Sequence, residues 1–305
     1  MTKNNLAQKK SVPSKSPKVN DLVHSCEELQ RRTPAQQTEI EPIGKADTYC
    51  YLDRDDELFT WLNDQRDLKL CGYIVATKGS GLPKSCEYYR LAHVKRRGSL
   101  FEIPATVFYL EMLQKGKATD LYQAILSEFG HPLPTLGKLN NLRSRTWDNL
   151  KRYGVKILIV GKADYLKLEA FNELIDLYEH LRISVVLAGT HYLEDILGRN
   201  HSAYVRVSNS FLEWYEFPSL TSEDVVTVVE DWEKKFLTPK NRLNLTQSPE
   251  VVETLKEKSG GLIESLYDLL RQIAMFSTDD PYFELTPSNI MAYLSHRKPP
   301  TQKLG

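Results

Sequence analysis

The sequence predicts an α/β fold: a three-layer core around a parallel sheet, followed by a small helical lid. Two patterns carry that expectation. Short apolar, β-branched runs alternate with stretches of helical period between residues 55 and 190, and beyond Pro218 the pattern is helical only. The first pattern is that of strands buried on both faces and joined by crossover helices. The second places a separate helical unit after the sheet.

The run Val155-Lys156-Ile157-Leu158-Ile159-Val160 is the strand the chain is organised around, and Cys71 to Ala76, Ala105 to Leu110 and Ile183 to Ala188 read as its neighbours. Leu58, Phe59, Trp61 and Leu62 fall at helical spacing within Asp55 to Asp67. Further helices are expected over Cys86 to about Lys95, Asp120 to Phe129, Arg145 to Arg152 and Leu166 to Leu181. In the lid, helices are expected from Ser222 to Phe236, from Ser248-Pro249 to Lys258, and from Leu262 to Phe276 after the Gly260-Gly261 break. A last one runs from Ser288 to Leu294 behind Thr286-Pro287. In such a sheet, ligands sit at the carboxyl ends of the strands.

The chain has 305 residues, enough to bury a sizeable core, and its 40 Lys and Arg balance 40 Asp and Glu. Net charge therefore gives no case for a general nucleic-acid or membrane binder, and any basic surface must be local. Cys26, Cys50, Cys71 and Cys86 form no C-x-x-C pair, which argues against a zinc site and a disulfide framework. No apolar run reaches the roughly 20 residues of a membrane span, and the N-terminus lacks a signal-peptide core, so a cytoplasmic protein is expected. Residues 1–20 hold five lysines and no acid and should form a disordered basic tail. Residues 21–54, with a helix around Leu22 to Arg31 ended by Pro34, read as an arm or adaptor. The core is assigned to 55–218, the lid to 219–296, and a flexible tail to 297–305.

The chemistry is expected in two loops. After the first strand comes Thr77-Lys78-Gly79-Ser80-Gly81-Leu82-Pro83-Lys84-Ser85, placed between strand and helix as a phosphate-binding loop must be. Such a loop needs Gly-x-x-x-x-Gly-Lys-Ser/Thr: backbone N–H groups approach the phosphates, the Lys meets the β and γ oxygens, and the hydroxyl meets Mg²⁺. Without a gap, Ala76 and Gly81 take the glycine places, Leu82 the lysine and Pro83 the hydroxyl. Using Lys84 and Ser85 instead puts Lys78 and Pro83 at the glycines, and proline has no N–H to offer. The organising strand ends in Gly161 and Lys162, where a nucleotide hydrolase carries the acidic pair for metal and water. Asp164, beyond them, reads as a helix cap.

The chain resembles the AAA+ transposition regulators of the TnsC/TniB/MuB type, closest to the short TnsC of cyanobacterial CRISPR-associated transposons. The resemblance runs from about Leu58 to Leu294. It rests on Ile157 to Leu166 with Ala163-Asp164-Tyr165-Leu166, on Ser184-Val185-Val186-Leu187-Ala188-Gly189-Thr190, on Leu220-Thr221-Ser222-Glu223-Asp224, and on Gly261 to Ala274. It implies an AAA+ P-loop-type core, assembly on duplex DNA, and contacts with a TniQ-type target selector, a transposase or an active TnsC-type ATPase. It also implies an arginine finger before the lid, where Ser208 to Glu213 offers Ser210 and no Arg, with Arg206 nearby. The sensor arginine of the lid is replaced by Ile263-Glu264-Ser265, and Thr190 is the one sensor-like residue kept. The family's DNA loops correspond to Gln114-Lys115-Gly116-Lys117 and to Pro134 through Leu139, which makes Lys115, Lys117 and Lys138 the DNA-binding candidates.

The expectation is a pseudo-ATPase with no catalytic residues, Leu82, Pro83, Gly161, Lys162, Ser210 and Ser265 being degenerate positions, and with no resident cofactor or metal. Were ATP and Mg²⁺ bound, Gly79, Ser80, Gly81, Lys84, Ser85 and Thr190 would be the contacts. A weak or partner-completed ATPase that forms filaments on DNA, and an adaptor or inhibitor without a DNA role, are the alternatives.

Overall fold

A computed structural model describes residues 33–44, 48–98, 100–113, 116–199, 201–239, 242–279 and 286–295. The expected tails at 1–20 and 297–305, the helix around Leu22 to Arg31, Cys26 and Lys115 lie outside the described residues.

Helices α1 (Pro34–Gly44) and α2 (Asp53–Leu68) precede strand β1 (Gly72–Val75) and helix α3 (Leu82–His93). A short antiparallel pair, β2 (Arg96–Arg97) and β3 (Leu100–Phe101), leads to β4 (Val107–Glu111), then α4 (Ala118–Glu128) and α5 (Leu139–Tyr153). Strand β5 (Ile157–Gly161) is followed by α6 (Leu168–Leu181), β6 (Ser184–Gly189), the short helices α7 (Tyr192–Leu197) and α8 (Val205–Ser210), and β7 (Glu213–Glu216). The five long-range strands pair in the order β4-β5-β6-β1-β7, and every pairing is parallel. The central strands β5 and β6 are buried along nearly their whole length because helices cover both faces, which is why they read as continuous apolar runs.

Parallel register brings every strand-to-helix loop to one edge of the sheet. Glu111 pairs with Gly161, Gly161 with Ala188, and Val75 with Gly189, so the ends of β4, β5, β6 and β1 stand side by side. The lid holds α9 (Ser222–Phe236), α10 (Pro249–Ser259), α11 (Ile263–Asp279) and α12 (Pro287–Ser295). Thr221 caps α9, its hydroxyl accepting from the Asp224 N–H at 3.1 Å while the Asp224 carboxylate accepts from the Thr221 N–H at 2.9 Å. Trp232, Val228, Val229, Leu266 and Leu270 fill a hydrophobic core separate from that of the sheet.

Several expectations need correction. Pro34 opens a helix that was not foreseen, α1, as suits a residue whose missing N–H costs nothing in a first turn. Of the stretch expected as an arm or adaptor, the described part is packed on the lid: Ile43, Cys50 and Leu52 are buried in the lid's core, and the Gln36 side chain donates to the Thr278 carbonyl at 2.8 Å. Helix α5 begins six residues earlier than Arg145, at Leu139, and β7 was not foreseen, since its Glu-Trp-Tyr-Glu run is short and mostly exposed. Helix α3 starts at Leu82 and not at Cys86, with Gly81 at φ 93° before it. A docked arm has a measurable consequence. Ile43→Ala should lower stability by about 2–5 kcal/mol, as for other buried large-to-small changes, read as a fall in the denaturation midpoint; a change under about 0.5 kcal/mol would mean the arm contributes nothing.

Candidate nucleotide-type cleft

The early start of α3 decides the register of the loop. Gly81 precedes the first helical residue, so Leu82 stands where a phosphate-binding loop carries its lysine. Leu82 is buried among the core side chains, 4% exposed. Pro83 follows in the first turn and removes one of the N–H groups that would otherwise face a phosphate. The Lys84 N–H donates to the Gly81 carbonyl at 2.9 Å. Ser85 is 1% exposed with its hydroxyl 3.5 Å from the same carbonyl, two residues beyond the place of a metal-binding hydroxyl and on another face of the helix. Gly79, at φ 87°, and Ser80, whose N–H donates to Thr77 at 3.0 Å, complete a tight turn of the kind only glycine enters freely.

At the end of β5 the acidic pair is replaced by a constellation from two strands. Tyr109 and Glu111 lie on the same face of β4, and the Tyr109 hydroxyl donates to the Glu111 carboxylate at 3.0 Å. Lys162, in the left-handed region at φ 53°, places its ammonium 2.5 Å from the other carboxylate oxygen. The two groups shift accordingly: Glu111 raises the Lys162 ammonium above the usual lysine range, and burial, with Cys86 and Glu111 nearby, pushes the Tyr109 phenol well up. Gly161 is what makes this possible. A Cβ on it would stand 2.9 Å from the Tyr109 hydroxyl and 3.2 Å from Glu111 Cγ, so both side chains would have to give way. The acceptor Glu111 and the covering Tyr109 were missed in the sequence, where Tyr109 read as part of the core strand Ala105 to Leu110 and Glu111 as the residue after it.

Asp164 caps a different element from the one expected. It lies in a short 3₁₀ turn, Ala163–Tyr165, and its carboxylate accepts from the N–H and hydroxyl of Thr190 at 3.1 and 3.0 Å, tying the end of β5 to the end of β6. Burial raises its pKa, and the bonds from Thr190 oppose that shift. Thr190 is therefore engaged with a protein carboxylate.

Lys84, Glu111, Lys162, Asp164 and Thr190 line a cleft of about 520 Å³ that also includes Thr77, Lys78 and Tyr192, whereas Gly81 and Ser85 line a separate cavity beside Arg54. The lid reaches it directly: the Glu264 N–H, in the first turn of α11, donates to the Gly79 carbonyl at 3.1 Å, and Ile263 Cγ2 lies against Gly81. Ser265 belongs to the same first turn. Arg206 pairs with Asp176 and Glu179 of its own chain at 2.7 and 2.9 Å, and Ser210 donates to the Arg206 carbonyl at 2.8 Å. A magnesium nucleoside triphosphate does not fit this set: a leucine and a proline hold the lysine and hydroxyl places, and Tyr109, Glu111 and Lys162 fill the carboxylate place with a cation already paired. Among the described residues, no group of His, Cys, Asp and Glu is placed to hold a metal ion.

The lysines of the two DNA-loop candidates stand outside the cleft. Lys117 and Lys138 are exposed and immediately precede α4 and α5, of which α4 follows directly from the carboxyl end of β4. The loop before α4 is pinned, since the Lys167 N–H donates to the Gly116 carbonyl at 2.8 Å.

A family model described as an AAA domain matches residues 65–197. Among solved structures, the ORC2 protein of Aeropyrum pernix in ADPNP and ADP complexes aligns over 86% of this chain and 73% of its own, with 12% identity and a TM-score of 0.63. The Aeropyrum pernix ORC1 protein in complex with DNA aligns over 86% and 69%, with 15% identity and a TM-score of 0.52. Drosophila ORC bound to DNA aligns over 97% and 70%, with 13% identity and a TM-score of 0.53. No curated protein matches by sequence. The fold is the AAA+ P-loop fold.

The close fit over Gly161 is testable. Gly161→Asp should destabilise the protein by about 1–3 kcal/mol, the range for overpacking a dense site, and adding Tyr109→Phe should recover part of the loss. Denaturant midpoints of both variants measure this, and an unchanged midpoint for the single variant would mean the space is open.

Proposed function

We propose that this AAA+-fold chain is a non-hydrolysing scaffold that associates with duplex DNA and recruits or regulates transposition machinery through protein contacts. The observation that carries the loss of hydrolysis is the Tyr109–Glu111–Lys162 cluster. A hydrolase needs a carboxylate free to hold metal and to orient water at the end of the central strand. In this chain the nearest one, Glu111, already accepts from Tyr109 and faces the Lys162 ammonium. The phosphate loop agrees, since its lysine place is a buried leucine.

The DNA part of the reading is supported by Lys117 and Lys138 beside two helix N-termini, and by solved structures of the same fold in complex with DNA. Lysines used this way give sequence-independent, salt-sensitive affinity. The transposition part is supported by the resemblance to TnsC/TniB-type proteins. It names a TniQ-type target selector, a transposase, an active TnsC-type ATPase or further copies of the chain as the partners to test. No helix among the described residues is long and apolar enough to cross a membrane.

Two measurements test the proposal. Purified protein should show no ATP turnover above a blank, with or without duplex DNA; turnover that disappears in Lys84→Ala would refute the non-hydrolysing assignment. Duplex binding should weaken steeply with salt, and replacing Lys115, Lys117 and Lys138 together by Ala should flatten the log–log slope by about 0.9 for each lysine that neutralises a phosphate. A slope that stays the same in the triple variant would remove DNA contact from these loops.

A further inference from the structure

The disagreement between this cleft and a nucleotide leaves open what holds the lid on the core, and one buried residue answers it. Arg54, in the first turn of α2, is 6% exposed although it carries a guanidinium. Its Nη2 donates to the Ser80 carbonyl at 2.9 Å and its Nη1 to the Pro218 carbonyl at 2.8 Å, and its guanidinium carbon lies 4.6 Å from the centre of the Phe217 ring. Ser80 belongs to the loop after β1, and Pro218 lies in the connection from β7 to the lid. A planar fork with fixed donor directions can bridge two carbonyls in this way, whereas an ammonium cannot hold both in one plane.

The contacts of Arg54 close a circuit. Pro218 runs by covalent bonds to Leu220, whose N–H donates to the Gly261 carbonyl at 2.8 Å. Gly261 runs on to Glu264, whose N–H donates to the Gly79 carbonyl at 3.1 Å, and Gly79 is bonded to Ser80. Loop, arm, hinge and lid are thereby joined in one ring of hydrogen bonds. The Glu264 N–H is one of the unpaired donors that every helix start leaves over, and the loop carbonyl satisfies it. The circuit is packed as well as bonded, with Ile263 Cγ2 close enough to Gly81 that a Cβ there would stand at 2.8 Å.

We propose that Arg54 is a built-in latch that holds the helical lid closed on the loop after β1 without a nucleotide, so that the closed arrangement is constitutive. In a nucleotide-driven protein, a ligand bridging loop and lid supplies the difference in free energy between open and closed states. The Arg54 circuit supplies that bridge from within the chain. The latch rests on the reading of the cleft as one that takes no triphosphate, but its test is separate from turnover and from DNA binding.

Amide hydrogen exchange in the full-length protein reads the circuit at the Glu264 and Leu220 N–H groups. In the wild type, both should exchange equally slowly with and without ATP and Mg²⁺. In Arg54→Met, which keeps the apolar stem and removes the fork, both should exchange about tenfold faster or more, as loss of charge-assisted hydrogen bonds implies, while the Ile159 amide at the centre of the sheet stays protected. Arg54→Lys, which keeps the charge and one carbonyl contact, should fall between the two and decides the matter if the Met variant does not fold. Unchanged protection of Glu264 in a folded Arg54 variant would overturn the latch, and so would wild-type protection that rises when ATP and Mg²⁺ are added. ATP turnover would sink the non-hydrolysing assignment and leave this exchange pattern as an independent result.

Discussion

The structure depends on the parallel register that sets Gly161 between Glu111 and Ala188. Tyr109 is two residues before Glu111 on the same face of β4, so its ring extends along the strand toward the position opposite Gly161. A side chain at 161 would compete for that volume. Because there is none, the phenol fits, its hydroxyl reaches Glu111, and the remaining carboxylate oxygen meets Lys162. The left-handed backbone of Lys162 then turns the chain into the 3₁₀ turn that carries Asp164 to Thr190. Each step presupposes the previous one, which is why several departures from a hydrolytic site sit together in space.

The electrostatics follow from the same geometry. Glu111 faces a cation and a phenol donor, so the negative charge a divalent metal would need is satisfied within the protein. Asp164 is a half-buried carboxylate, and burial raises its pKa against the pull of the Thr190 bonds. A carboxyl raised above its unfolded value binds a proton more readily in the folded state, so its ionisation lowers stability as pH rises through the folded pKa. Asp164 is therefore held by its role in joining β5 to β6, at a cost the sheet's packing offsets.

Much of the fold was legible in the sequence because two-sided burial leaves a plain mark. Ile157 to Val160 and Val185 to Ala188 are apolar without interruption, and the α9 helix was bounded correctly by Ser222 and Phe236. What escaped has physical reasons. Pro83 read as part of a loop, yet a proline is well tolerated in a helix's first turn, and so α3 begins before Lys84 instead of after it. Tyr109 and Glu111 were hidden because strand periodicity reports which face a residue takes and not what stands across from it on the neighbouring strand. Arg54 was hidden in the same way: one arginine among Asp53, Asp55 and Asp56 reads as a solvated helix start, although these acids leave its fork free for the carbonyls of two distant segments. The one available signal was the position of Arg54 just before Leu58 and Leu62, on a helix that must lie against the core.

The arm and the lid share a core, and this bears on how the molecule can move. Ile43, Cys50 and Leu52 are buried with Trp232 and Leu266, while α2, continuous with the arm, packs Leu58 and Leu62 into the core of the sheet. One stretch of chain is thus built into both hydrophobic cores. A lid hinged only at residues 217–221 could rotate at small cost, since a short connection absorbs the change in a few dihedral angles. A lid whose core includes residues on the near side of α2 cannot rotate without either unpacking that arm or dragging Arg54 away from Ser80. The motion that nucleotide exchange exploits in a hinged protein is here opposed by apolar burial and by a charge-assisted bridge at once, and of the two the bridge is the more brittle. Apolar packing weakens gradually as surfaces slide, whereas the hydrogen bonds of a buried guanidinium are lost within a few tenths of an ångström beyond their normal length and leave the charge with neither water nor partner. Movement of lid against core is therefore governed by Arg54, with the shared core deciding how far the two parts can separate once it has let go.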